Sequence, residues 1–340
     1  MRRTLIGLVT FSTMPGRIAG RWLVLSLALA GSLSPAAAWG PLGHRTVAET
    51  AALLVQDDLP TTWGPLLARH RFELGVYSFL PDSRFRHIDG AGGKTEAPTH
   101  YLNLDAAPGS ASGSVDRRIN QFLDRAGTQL APVRAPKGGF QSGATAEGDA
   151  KRVYLALYEL GVMSHYSGDV AVPYHATVDW NGYARGEGGI HYYFESDCVN
   201  VFEPELAADV LASARKNRKA WLSSWGFPKV AAPGLVGPVL KESLAAVSKV
   251  SELDKKHAIT KASPPGEKTD AVRTPASAGC ASMRPLIVER LAKGAVLTAA
   301  LWESVLPAGV DFSGGEKLTF SDMESAPDYP APIAPEPCSE

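Results

Sequence analysis

The sequence predicts a single all-α domain, compact and multi-helical, on three observations. Apolar residues recur at helical spacing over long stretches, strand-like alternation never runs beyond a few residues, and Gly/Pro/Ser-rich breaks separate the stretches. The first stretch, 41–58, places His44, Val47, Ala48, Ala51, Leu54 and Val55 on one face, so His44 is expected on the buried side. The second, 114–131, repeats the pattern with Ile119, Phe122, Leu123, Ala126 and Leu130. The third, Ala146–Asp169, is apolar on most sides through Val153, Tyr154, Leu157, Tyr158, Leu160 and Val162, the mark of a central helix packed all round. Amphipathic stretches follow at 204–222, 238–252 and 284–306, with Pro238 and Pro285 suited to first-turn positions. Breaks fall at 89–98, 132–147, 181–189 and 261–283.

The two ends differ in character from the middle. Residues 1–38 carry an early basic region (Arg2, Arg3, Arg17, Arg21), an apolar run Trp22–Leu33 and small residues at Ala36 and Ala38. This is the pattern of a secretory signal peptide cleaved after Ala38, with Met14 as an alternative start. The apolar run is too short to span a bilayer. Export to the periplasm or the extracellular space is expected. Residues 39–310 form the domain, and 311–340 a Pro-rich tail whose end, Ala326–Glu340, is expected to be irregular. Three cysteines (Cys198, Cys280, Cys338) permit one disulfide and leave one thiol, with the pairing open. Lys and Arg number 34 against 35 Asp and Glu, so no global basic field draws in nucleic acid or membrane. A monomer is expected.

Chemistry concentrates in H-Y-S-G-D-V-A-V-P-Y-H, from His165 to His175. His165 and Asp169 stand four apart and project from one helix face, and Pro173 lets the chain return His175 to the same place. Further on, His191 and Glu195 again stand four apart. A single His-x-x-x-Asp pair is more often a surface hydrogen bond, but two such pairs flanking a third histidine make a metal cluster. Imidazole with carboxylate suits zinc. Asp82, in F-L-P-D-S-R, and His100, in T-H-Y-L-N-L-D, join the set on composition. Of eight histidines, His44, His100, His165, His175 and His191 fall in this constellation, whereas His70, His87 and His257 have basic or polar neighbours and are expected at the surface. After cleavage, the free amine and carbonyl of Trp39 can close a five-membered chelate near His44.

Trp-Gly-x-x-Gly-His after a signal, then Asp, His, His-x-x-x-Asp-x5-His and His-x-x-x-acid, resembles the S1/P1 nucleases and their relatives, the zinc-dependent bacterial phospholipases C. The resemblance runs from Trp39 to Glu195 and more loosely to about residue 306. It implies an all-α fold holding three zinc ions. Asp82, His100, His165 and Asp169 match the ligands of the first, and His175, His191 and Glu195 those of the second. Trp39, His44 and the other oxygen of Asp169 match those of the third. It also implies that the first two ions share a water whose pKa they depress toward neutrality, that the third binds phosphate, and that Asp82 orients or deprotonates the attacking water.

The start of the chain and T-H-Y-L-N-L-D look like the nuclease branch, which makes single-stranded RNA or DNA the expected substrate. The short gap from His175 to His191, the wording around His165 and Glu at 195 look like the phospholipase branch, which acts on phospholipid headgroups. Among the aromatic residues here, Trp180 and Tyr183 lie in a Gly-rich loop and are the candidates to touch substrate, by base stacking or by cation–π contact. No Lys/Arg stripe or duplex-reading motif is visible. A secreted protein that keeps the metals only for stability or binding is the remaining reading. Activity is expected to fall in acid as ligand histidines protonate.

Overall fold

The computed structural model describes residues 39–88, 94–108, 110, 112–133, 148–310 and 329–333. The expected signal peptide, Cys338, most of the 132–147 break and most of the Pro-rich tail lie outside the described residues. Secondary structure is overwhelmingly helical: α1 (Gly40–Asp58), α2 (Gly64–Arg69), α3 (Arg71–Tyr77), α4 (Val115–Leu130), α5 (Asp149–Val170), α6 (Leu206–Ser224), α7 (Val236–His257) and α8 (Arg284–Glu303) are joined by single helical turns and loops. None of the described helices is long and apolar enough to cross a membrane. One short antiparallel pair, β1 (Ile259–Lys261) and β2 (Val272–Arg273), starts just before the expected 261–283 break and ends inside it, and is too brief to have shown as an alternating pattern.

The helix α5 is the axis of the packing, as its all-round apolar pattern requires. From Val153 onward it is buried on most sides, and α4, α8, α3, α1 and α7 all contact it. Glycines let these neighbours approach. A Cβ on Gly161 would stand 2.7 Å from the Cβ of Tyr77, and one on Gly168 would stand 3.2 Å from Nδ1 of His44. Opposite Gly168, a Cβ on Gly294 of α8 would stand 3.5 Å from the Cα of Gly168. A one-methyl addition at Gly161 therefore has to push the chain apart.

The C-terminal end of α5 leaves carbonyls that need partners, and three elements supply them. Trp39 Nε1 donates to Gly168 O at 2.9 Å, Ser243 Oγ to Val170 O at 2.6 Å, and Arg290 Nε to Ala171 O at 2.8 Å. The fully buried guanidinium of Arg290 also suits the negative end of the helix dipole, although burial lowers its pKa to about 10. This end carries His165 and Asp169, so their backbone is held from three directions.

The two short helices α2 and α3 were not expected, because six and seven residues cannot display a helical period. They correct the expectation for His70. It is buried where they meet, 3.7 Å from Glu73, and burial lowers its pKa. His87 and His257 are exposed, as expected. Cys198 and Cys280 form the disulfide that the sequence left open. From the tail, Tyr329–Ile333 is irregular yet docked: Arg118 and Gln121 of α4 donate to the carbonyls of Pro330 and Ala331, each at 2.7 Å.

Candidate metal centre

His165 and Asp169 do project from one face of α5 and are fully buried. Asp169 reaches in several directions. Its Oδ2 lies 3.0 Å from His100 Nδ1 and 3.4 Å from His165 Nε2, while its Oδ1 lies 3.5 Å from His44 Nε2 and 3.6 Å from His175 Nδ1. His100 comes from the turn Ala97–His100, and Asp82 from the wide π-type turn Pro81–Phe85 after α3. Asp82 Oδ1 is 4.0 Å from His100 Nδ1 and 3.9 Å from His165 Nε2. A second π-type turn, Tyr193–Asp197, carries Glu195 to within 2.5 Å of His191 Nε2. Such turns add a residue per turn and are frequent at functional sites. Here they aim the two carboxylates that lie off α5.

Among the described residues these side chains make three buried groups able to hold a metal ion, with ligand atoms in each within 4.8 Å of one another: His44–His165–Asp169, Asp82–His100–His165 and His175–His191–Glu195. The first two of these groups overlap through His165, whose ring stacks on His44 at 3.8 Å, and Asp169 lies close to members of all three. The His175 group shares no member with either. The reason is local. His44 packs directly against α5 at Gly168, one turn from His165, whereas His175 lies beyond the helix end on the Pro173–His175 turn.

Second partners orient several rings. His165 Nδ1 is 2.8 Å from Ser78 O, and His175 Nδ1 is 2.6 Å from His100 O. Turning one ring nitrogen to a carbonyl leaves the other for a metal. Trp39 is fully buried beside the cluster, its ring 5.9 Å from that of Phe194, and its backbone amide faces the carboxylate of Glu195. The backbone nitrogen that cleavage after Ala38 would convert to an α-amine therefore sits at the site.

The chemistry of the donor set fits cations. Asp82 Oδ2 and Asp169 Oδ1 are buried and accept no hydrogen bond, a costly state for a carboxylate. Burial pushes Asp82 up to about 7, partly opposed by Arg86, and holds Asp169 and Glu195 well above the usual carboxylate range. Burial also drives His100, His165 and His175 well below the ordinary imidazole value and His191 down to about 3. The imidazoles are thus neutral at pH 7, the form that binds metals. A cation among the carboxylates would reverse their shifts.

Two charged residues at the site were not singled out in the sequence. Arg86 Nε lies 2.9 Å from Asp82 Oδ1, with 13% of its side chain exposed. It stands four residues from Asp82, a spacing so common for acid–base pairs on helices that it does not by itself mark a metal site. Glu96 is fully buried, with Oε1 3.9 Å from His100 Nε2, four residues away. Of the two substrate candidates, Trp180 is 46% exposed and its ring lies 5.8 Å from that of His191. Tyr183 is half-buried, edge-on to Trp180 at 5.9 Å. Tyr192, Val178 and Leu104 are also exposed nearby, where Leu104 N bonds to Ala176 O and Val178 N to Asp105. Compared with known proteins, the chain matches no protein-family model and no curated protein sequence.

Proposed function

We propose that the chain is an exported phosphodiesterase of the S1/P1 nuclease and phospholipase C type, dependent on three zinc ions and cleaving single-stranded RNA or DNA. The observation that carries this reading is the set of three buried ligand groups, two of them overlapping, which use all nine residues the resemblance implied except Trp39 and bring Trp39 to their edge. Bound zinc would supply Lewis-acid activation of water and of a phosphoryl oxygen.

The chain's own groups divide the remaining work. Asp82 is the general base: it faces the histidines on one side and Arg86 on the other, placed to orient the attacking water and take its proton. Arg86 meets the charge of the phosphate with a planar donor fork. His44, Asp169 and the Trp39 backbone would hold one ion, Asp82, His100 and His165 with the other oxygen of Asp169 the next, and His175, His191 and Glu195 the last. Trp180, with Tyr183 behind it, offers an exposed ring on which an unpaired base can stack, worth roughly 1–3 kcal/mol per base.

A second reading, phospholipase C, has its own support in Glu195 and in the apolar rim of Leu104, Val178, Trp180 and Tyr192. The test uses mature chain beginning at Trp39, loaded with zinc. Hydrolysis of single-stranded nucleic acid is compared with hydrolysis of phosphatidylcholine in one buffer, with zinc counted in the same sample. Nucleotide release with about three ions per chain is expected. Diacylglycerol release would move the chain to the phospholipase reading, and full zinc with neither product to a binding protein.

A further inference from the structure

Behind His100, away from the ligand groups, lies a second buried polar cluster that the proposed chemistry does not use. Glu96 is at its centre, with no solvent exposure. Arg118 of α4 places Nη2 2.9 Å from Glu96 Oε2. The hydroxyl of Tyr166, next to His165 on α5, donates to Oε1, and the hydroxyl of Tyr329 donates to Oε2 at 2.5 Å. Thr99 Oγ1 adds a bond to Oε1 at 3.0 Å. Arg118 in turn donates to the carbonyl of Pro330, and its guanidinium lies 5.3 Å from the centre of the Tyr329 ring. On its other side, Tyr329 packs against Phe85, the last residue of the turn that carries Asp82, with ring centres 4.8 Å apart.

A buried ion pair with this many partners is a poor way to gain stability, since an apolar replacement often does as well. Its placement gives it another use. His100 turns Nδ1 toward Asp169 Oδ2 at 3.0 Å and His165 Nε2 at 2.9 Å. Its other nitrogen, Nε2, is buried, makes no hydrogen bond and points to Glu96 Oε1 at 3.9 Å. A carboxylate behind the far nitrogen of a metal-binding histidine sets the tautomer and the ring orientation. The other histidines with a clear orienting partner use backbone carbonyls, of Ser78 and His100. At His100 the partner is a side chain, and its position depends on a segment from the far end of the chain.

We propose that Glu96 is the positioning residue for His100, and that Tyr329, by fixing Glu96 and bracing Phe85, makes the segment Tyr329–Ile333 part of the metal centre. This rests on the metal reading above. The Asp82–His100–His165 group then depends on the C-terminal segment, whereas the His175–His191–Glu195 group does not.

The test uses the full mature chain with Glu96→Gln and, separately, Tyr329→Phe, which removes one hydroxyl and keeps the ring. Zinc affinities are measured by competition with a chromophoric chelator, cobalt(II) spectra are recorded on the substituted protein, and melting midpoints are taken with and without zinc. Expected in both variants is a loss of about 10–100-fold in affinity for one ion of the three, with a changed cobalt spectrum. For Tyr329→Phe the zinc-free midpoint stays at the wild-type value. Wild-type affinities and spectrum in Tyr329→Phe, or equal weakening of all three ions, would overturn the proposal and leave the metal reading standing. A wild-type chain that takes up no zinc would overturn both.

Discussion

His165 Nε2 and His100 Nδ1 stand 2.9 Å apart in the interior, with Asp169 Oδ2 within 3.4 Å of the first and 3.0 Å of the second. Two imidazole nitrogens and a carboxylate oxygen converging from α5 and a separate turn describe the corners of a coordination site. Because Asp169 turns Oδ2 to His100 and His165 and Oδ1 to His44, its removal differs in kind from removal of a ligand in the group of His191. Asp169→Ala should lower the zinc content by two ions per chain, and His191→Ala by one. Zinc per folded chain after gel filtration against a competing chelator checks this, and equal losses would contradict the shared position.

Asp82→Asn keeps the size of the side chain and one oxygen, so the fold and most of the metal should remain. Turnover should fall by about 10²-fold or more, the scale of a lost general base. Arg86 loses its charged partner in this variant, so metal content and circular dichroism are measured alongside turnover. Unchanged turnover would remove Asp82 from the chemistry.

The pH dependence of the zinc-free chain's stability combines buried carboxylates with buried histidines. Burial raises the folded-state pKa of Asp82 from 3.8 to about 7, so its contribution is fully present below 3.8 and lost as pH rises through 7. Asp169 and Glu195, also raised by burial, extend that loss to higher pH. The buried histidines act oppositely: their folded pKa values lie below 6.5, so their contribution is lost as pH falls below 6.5, and above it they are neutral in both states. The zinc-free protein should therefore melt at lower temperature as pH rises from 6.5, where the histidines are neutral in both states, through 7. Zinc uptake at neutral pH should release protons from carboxylic acids, measurable by calorimetry in buffers of different ionisation heat. A midpoint that climbs over this range would refute the assignment.

Trp39 is fully buried and its backbone nitrogen faces Glu195. One extra residue before it displaces the α-amine, so a chain starting one residue earlier should bind one zinc more weakly than a chain starting at Trp39. The comparison is a chelator titration of the two proteins. Identical affinities would exclude an N-terminal chelate.

The long helices were legible in the sequence to within a few residues, because each has enough turns to display its buried face. The third stretch, expected over 146–169, is α5 at Asp149–Val170, and Pro285 occupies the second position of α8. The sequence also determined which side chains can ligate. His-x-x-x-Asp on a helix fixes a shared face by periodicity, and His165 and Asp169 follow from that alone. Tertiary structure decided everything that depends on residues far apart in the chain. It chose Cys198 with Cys280, buried His70 under helices too short to predict, and made the groups of His44 and His100 overlap at His165. It also settled that Arg86 and Glu96, each four residues from a candidate ligand (Asp82 and His100), meet those residues in the interior. Helical periodicity is a property of neighbours in sequence, whereas the meeting of Tyr329 with Glu96 depends on how helices pack, and no spacing along the chain encodes it.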